Sequence, residues 1–149
     1  MPPLPPPIPA ADHAAIQQML AVYAWALDTA DLDTLRALFL DDAVMQDTGG
    51  TRHEGIDAIL GYCAKLTSTP AFCGRRHHID NLLLEPTATG YECRAYWTVT
   101  KWDAATGQKQ IDFTGHSRDV YERRPEGWRI RERLLYYWHS QDCPWHPAP

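Results

Sequence analysis

The chain lacks any concentration of positive charge. Its 14 Lys and Arg against 19 Asp and Glu leave a formal net charge of −5. Without a basic run, binding would release few counterions from phosphates, which argues against a nucleic-acid partner. No stretch approaches the ~20 apolar residues of a membrane span, and no charged segment leading into an apolar one opens the chain. A cytoplasmic protein with no membrane partner is therefore expected. Cysteine is scarce: Cys63, Cys73, Cys93 and Cys143 form no CxxC pair, and no His stands at zinc-finger spacing from them. A domain of this size needs no disulfide staples, so these are expected to be reduced packing residues. Carboxylates and histidines do not cluster as ligands would, and neither a metal nor another cofactor is expected. There is no internal repeat.

What is present is a chain of 149 residues, long enough for one domain that buries roughly 68–70% of its unfolded surface. Residues 2–9 hold six of the twelve prolines, so residues 1–10 read as a disordered, polyproline-like leader. Residues 11–139 read as a single domain and 140–149 as a C-terminal tail. Asp12 suits the N-cap of a first helix, in which Ile16, Met19, Leu20, Tyr23 and Leu27 form one apolar face. Asp31 suits the cap of a short second helix carrying Leu35, Leu38 and Phe39. Asp41 and Asp42 are expected to end it, ahead of a brief strand at Ala43–Met45. Thr48-Gly49-Gly50 reads as a turn, and Gly55 precedes a third helix with Ile56, Ile59, Leu60 and Ala64 on its buried side.

From Arg76 onward the apolar period changes to two. Strands are expected at 76–85, 91–103, 109–123 and 128–139, separated by turn signals around Pro86, Gly107 and Gly127. In the second of these, Tyr91, Cys93, Ala95, Trp97 and Val99 share a face. Arg129, Arg131 and Arg133 alternate as one face of the last strand. Three helices followed by antiparallel strands is an α+β signature.

The stretch that organises the rest is Tyr23-Ala24-Trp25-Ala26-Leu27-Asp28, where the first helix closes on a carboxylate. A half-buried Asp needs a partner, because an isolated carboxylate in an apolar site is costly. The candidate is His77 in Arg76-His77-His78-Ile79-Asp80-Asn81. His77 and His78 point to opposite faces of a strand, and alternation alone does not choose between them.

This order of elements resembles the SnoaL-like branch of the nuclear transport factor 2-like superfamily. So do the Tyr-x4-Asp ending the first helix, Asp41-Asp42-Ala43, His77-x3-Asn81, and Tyr121-Glu122-Arg123-Arg124 followed by Gly127-Trp128-Arg129-Ile130. The similarity runs over residues 11 to 139. Within the branch the chain is most similar to scytalone dehydratase, bile acid 7α-dehydratase and lindane dehydrochlorinase. The resemblance implies a cone-shaped α+β barrel, with three N-terminal helices packed on a strongly curved antiparallel sheet enclosing a pocket. It implies a cofactor-free lyase in which His77 and Asp28 form a general-base dyad, Tyr23 is a cavity residue and Arg133 an active-site arginine. Asn81 would lie beside His77. Trp97, Trp25 and His116 join it as expected substrate contacts. Where the family often has Gly-x-Tyr-x-Asp, this chain has Gly115-His116-Ser117-Arg118-Asp119.

The chemistry is coherent without the family. Dehydrating a carbonyl compound requires removal of an acidic α-proton and departure of a β-hydroxyl as water. A neutral imidazole suits the first task, and a carboxylate behind it fixes the tautomer and stabilises the imidazolium. A tyrosine hydroxyl could serve the leaving or carbonyl oxygen, and an arginine could hold developing negative charge. Against these stand plainer roles. Asp28 alone reads as a helix-end carboxylate, and Tyr23 and Asp28 lie about 140° apart around a helix. Arg133 reaches a cavity only past a bulge or from the other face. His116 shares its alternation with Asp112, Thr114 and Arg118, as a solvent-facing residue would, and His53, His139 and His146 read as surface or tail. Three functions stay open. The first is a dehydratase-type lyase on a small hydroxylated aromatic or alicyclic substrate. The second is an isomerase, cyclase or carbon–carbon lyase with the same dyad, and the third a non-catalytic ligand-binding or accessory subunit. A homo-oligomer, trimer or dimer, is expected.

Overall fold

The first helix, α1 (Ala10–Asp28), forms on the face its spacing dictates: Ile16, Met19, Leu20, Tyr23 and Leu27 are all buried. The structure, a computed structural model, describes residues 7–138, so the expectations for the first six residues, for the 140–149 tail and for His139, His146 and Cys143 fall outside it. Of the leader, Ile8 packs partly against the core and Pro9 occupies the N-cap position. Asp12 is therefore not the cap. It sits inside the first turn, where its carboxylate accepts from Tyr91 Oη at 3.0 Å and Arg123 Nη1 at 2.7 Å, tying the helix to the sheet.

The helix ends because Ala30 turns left-handed, with φ 57°, while Asp31 N–H returns to the Ala26 carbonyl at 2.8 Å. Asp31 then caps α2 (Leu32–Leu38), accepting from Thr34 N at 3.0 Å and Thr34 Oγ1 at 2.7 Å. Strand β1 (Phe39–Gln46) starts earlier than the sequence suggests, so Phe39 belongs to it and not to the helix. Asp41 and Asp42 lie exposed in an irregular part of that strand and do not terminate the helix. Asp42 takes an ion pair from Arg131 at 2.6 Å. A short strand that the sequence reading missed, β2 (Arg52–Glu54), folds back on β1 around a turn organised by Asp47. Helix α3 (Ile56–Thr67) follows.

The four long strands are β3 (Arg75–Pro86), β4 (Gly90–Trp102), β5 (Lys109–Arg124) and β6 (Gly127–Tyr137). They form one open six-stranded sheet in the order β2-β1-β6-β5-β4-β3. The long strands pair antiparallel, but β1 runs parallel to β6, so the sheet is mixed. Three helices pack on it in a cone-shaped α+β fold. The buried side chains of α1, α3 and the inward face of β4 (Tyr91, Cys93, Ala95, Trp97, Val99) fill the core between them. No described helix is long and apolar enough to cross a membrane.

Register breaks at three places on the long strands, and each redirects side chains. In β3 the pairing shifts between Asp80 and Leu83, where Asn81 is left-handed at φ 52°. In β5 the extra residue is Asp112, between the pairs Val99–Phe113 and Thr100–Ile111. In β6 it is Arg131, between Ile130 and Glu132.

Candidate active site

Between the helices and the sheet lies a cavity of about 660 Å³, counting the part open to solvent. Its walls are mainly apolar and aromatic, among them Leu27, Tyr62, Phe72, Trp97, Phe113 and Tyr137. Apolar and aromatic walls with a few polar groups among them are the usual lining of a small-ligand pocket.

His77 enters this wall from β3, and α1 supplies its partner. Asp28 Oδ1 lies 2.6 Å from His77 Nδ1, and Asp28 Oδ2 accepts the His77 backbone N–H at 2.9 Å. Two contacts from one carboxylate fix the ring and the strand that carries it. An ionised carboxylate can only accept, so Nδ1 bears the proton and a neutral ring carries its lone pair on Nε2. Nε2 has no partner among the described residues. Asp28 does not itself line the cavity; it lines an outer groove between α1 and β3 that His77 also borders. That removes the difficulty of the 140° between Tyr23 and Asp28, roughly the angle that five helical residues span, since the two approach from different sides. The ring of Phe72 stacks on His77 with centroids 5.8 Å apart. His78 points outward and meets Thr100 Oγ1 at 3.1 Å.

Arg133 reaches the cavity because the bulge at Arg131 reverses the alternation of β6. Arg129 and Arg131 pair with carboxylates outside, while Arg133 turns inward and is 1% exposed. Its Nη1 donates to Asp119 Oδ2 at 2.8 Å, and the same oxygen accepts from Ser117 Oγ and Tyr121 Oη, each at 3.0 Å. Burial pushes the Asp119 carboxyl above its ordinary value, against the pull of Arg133, Ser117 and Tyr121. The guanidinium carbon lies 4.3 Å from the centre of the Tyr23 ring. Burial raises the Tyr23 hydroxyl to about 12, only partly opposed by Arg133, so it remains a proton donor throughout the neutral range. Trp97 lines the cavity opposite, its indole lying over Gly115. A Cβ at Gly115 would sit 2.1 Å from that ring and 2.1 Å from the Tyr136 carbonyl, so only glycine fits there.

Three expected substrate contacts lie elsewhere. Asn81 is exposed, because its left-handed turn at the bulge takes it off the face of His77. Trp25 is 73% exposed, since it leaves α1 two residues from Tyr23 and so on the opposite side. His116 faces the outside of the sheet, stacked on Tyr136 at 5.0 Å; burial lowers its pKa. His53 is not a plain surface residue: its Nε2 lies 2.9 Å from Asp47 Oδ2 and its ring stacks 4.5 Å from Tyr62. Buried Cys63 and Cys93 are pushed up by desolvation to about 11 and about 12, as packing thiols would be, and Cys73 is exposed and free.

Phe72, Arg75, Tyr62, Phe113 and Tyr137 were missed by the sequence reading. Arg75 had a signal: it stands two residues before His77 on the same strand face. Among the described residues no three His, Cys, Asp or Glu side chains gather in a way that could hold a metal ion.

A model of the SnoaL-like domain matches residues 9–134. The chain belongs to the SnoaL-like family. Solved structures agree on the fold. Aln2 from a Streptomyces species is 26% identical over 91% of this chain and 94% of its own, with a TM-score of 0.78. A presumptive scytalone dehydratase from Novosphingobium aromaticivorans is 21% identical over 87% and 85%, with a TM-score of 0.74. ActVI-ORFA from Streptomyces coelicolor is 18% identical over 84% and 96%, also at 0.74. A search of curated proteins finds no match. SnoaL-like proteins include small-molecule enzymes, and the lining of this cavity is of the kind such enzymes use.

Proposed function

We propose that this SnoaL-like protein is a cofactor-free lyase of the dehydratase type, acting on a small hydroxylated aromatic or alicyclic carbonyl compound. One observation carries the reading: Asp28 holds Nδ1 of His77 at 2.6 Å and leaves Nε2 without a partner among the described residues, on a side chain that lines an aromatic-walled cavity. Nε2 removes the proton α to the carbonyl, and the Asp28 carboxylate stabilises the imidazolium that forms. The bond electrons pass into the enolate, then form the new double bond as the β-hydroxyl departs. That hydroxyl takes back the abstracted proton from the imidazolium, directly or by way of Tyr23, and leaves as water, which regenerates the neutral base. Tyr23, protonated at neutral pH, donates to an oxygen of the substrate, and the Arg133 charge beneath its ring favours negative charge there. Trp97 forms part of the wall against which the ring packs. A cytoplasmic location belongs to the same reading, as does a homo-oligomer, trimer or dimer. The aromatic cluster of Tyr96, His116 and Tyr136 on the outer sheet face supports self-association.

The same base would serve an isomerase, a cyclase or a carbon–carbon lyase, and the product mass separates them, since only dehydration removes one water. The test begins with a thermal-shift panel of ring alcohols and hydroxyketones, because a ligand binding only the folded state raises its stability. Compounds that bind are then followed by mass spectrometry with the wild type and His77→Ala. Loss of water by the wild type alone is expected. A protein that binds the panel but converts none of it, and purifies with a larger partner, is an accessory subunit.

A further inference from the structure

The wall of the cavity carries positive charge and no negative charge. Its lining residues include Arg75 and Arg133 but no Asp or Glu. The matching carboxylates, Asp28, Asp112 and Asp119, are not among the lining residues. Two buried donors among those residues, Trp97 Nε1 and Arg133 Nε, have no partner. The orphaned acceptor of the region, Asp119 Oδ1, belongs to a residue that does not line the cavity. With two guanidinium groups on the lining and no carboxylate among them, this wall favours a guest that brings negative charge.

Arg75 has the geometry to meet such a guest. The bulge at Asp112 turns that carboxylate toward Arg75, and Nε of Arg75 donates to Asp112 Oδ2 at 2.7 Å. The guanidinium carbon lies 4.8 Å from the centre of the Phe113 ring and 5.8 Å from that of Phe72. One carboxylate and two rings thus fix the group in orientation. The ion pair uses only Nε. The two terminal amino groups have no acceptor among the described residues and are not sealed from the cavity or solvent, the side chain being 15% exposed. A planar guanidinium held this way is a ready fork for a carboxylate.

We infer that the cavity takes its substrate as an anion, a ring compound bearing a carboxylate that is gripped by the terminal amino groups of Arg75 between Phe72 and Phe113. Arg75 and His77 lie two residues apart on one strand face, about 6.6 Å along β3. The proton taken by Nε2 is then about one ring's width from the carboxylate. This names the substrate class and rests on the reading of the cavity as the substrate site.

The test is binding without turnover, on the full chain, by calorimetric titration with 2-naphthoate and its neutral isostere 2-naphthamide. The wild type should prefer the acid at least tenfold, and added salt should narrow the gap. Arg75→Gln should abolish the preference, and Arg75→Lys should keep part of it, since the charge remains and the fork is lost. Circular dichroism checks the fold of each variant. Should Arg75→Gln fail to fold, Asp112→Asn carries the test, because freeing Arg75 from its partner should tighten naphthoate. Equal affinity for acid and amide, binding of neither, or an Asp112→Asn that leaves naphthoate unchanged would overturn the inference. His77→Ala must retain the preference, so loss of the lyase reading and loss of this one are told apart. No dehydration with the acid preference intact sinks only the former, and dehydration of neutral ketones without any acid preference sinks only the latter.

Discussion

Two aspartates each hold a nitrogen-bearing side chain in the cavity wall, on different terms. Asp119 is fully buried, and one of its oxygens accepts from Arg133, Ser117 and Tyr121, three donors from within the protein. Asp28 makes two contacts, both to His77, and the far nitrogen of that ring stays without a partner. The first arrangement spends its hydrogen bonds on holding a cation in a place where it would otherwise be unstable. The second holds a base in one tautomer and leaves it able to react. A buried ion pair is weak evidence of stability, yet breaking one partner is severe because the other charge remains.

That contrast predicts unequal consequences. Asp119→Ala should destabilise the fold most, by about 3–5 kcal/mol, since it strands Arg133 without a counter-charge; urea unfolding measures it. A loss below about 1 kcal/mol, the scale of an ordinary net hydrogen bond, would mean that Arg133 does not depend on Asp119. Asp28→Asn should do the opposite. Turnover should fall on the order of 10²-fold or more, with KM little changed, because the base acts in the transition state. Tyr23→Phe comes next, at about tenfold in kcat if its hydroxyl only orients the substrate, and nearer to Asp28→Asn if it supplies the proton.

Acid sensitivity should expose the lesser pair at the turn after β1. Burial alone would raise Asp47, but hydrogen bonds from His53, Thr51 and Gly49 outweigh it and hold its carboxyl below the ordinary 3.8. A lowered carboxyl contributes stability that is complete above the unfolded value and is lost as pH falls through the folded one. Stability measured by urea unfolding from about pH 5 down to about pH 2 should therefore decline, and the decline should be smaller in Asp47→Asn. The smallest effect belongs to Ala30, left-handed at φ 57° between the first two helices. Ala30→Gly should raise thermal stability by up to about 1 kcal/mol.

Much of this was legible in the residues. The apolar face of α1, the alternation of β4 and the cap at Asp31 follow from local physics, and they place the framework correctly. His77 with Asp28 needed the family resemblance, since neither periodicity nor charge brings residues 49 positions apart together. What stayed hidden traces to the bulges. A single extra residue reverses every later side chain in a strand. Alternation thus put Asp112 and Arg133 outside and Asn81 beside His77, whereas the structure places all three the other way. Trp25 is a different error: an aromatic next to a functional motif, yet on the far side of its helix.

The most direct test of the dyad needs no substrate. Nitrogen-15 NMR of the histidine rings, with His77 assigned by comparison with His77→Gln, reports which nitrogen of the neutral ring carries the proton. The account predicts a proton on Nδ1 and a bare Nε2 in the wild type, with that tautomer preference lost or reversed in Asp28→Asn. A neutral His77 protonated on Nε2, or a spectrum that Asp28→Asn leaves unchanged, would contradict it.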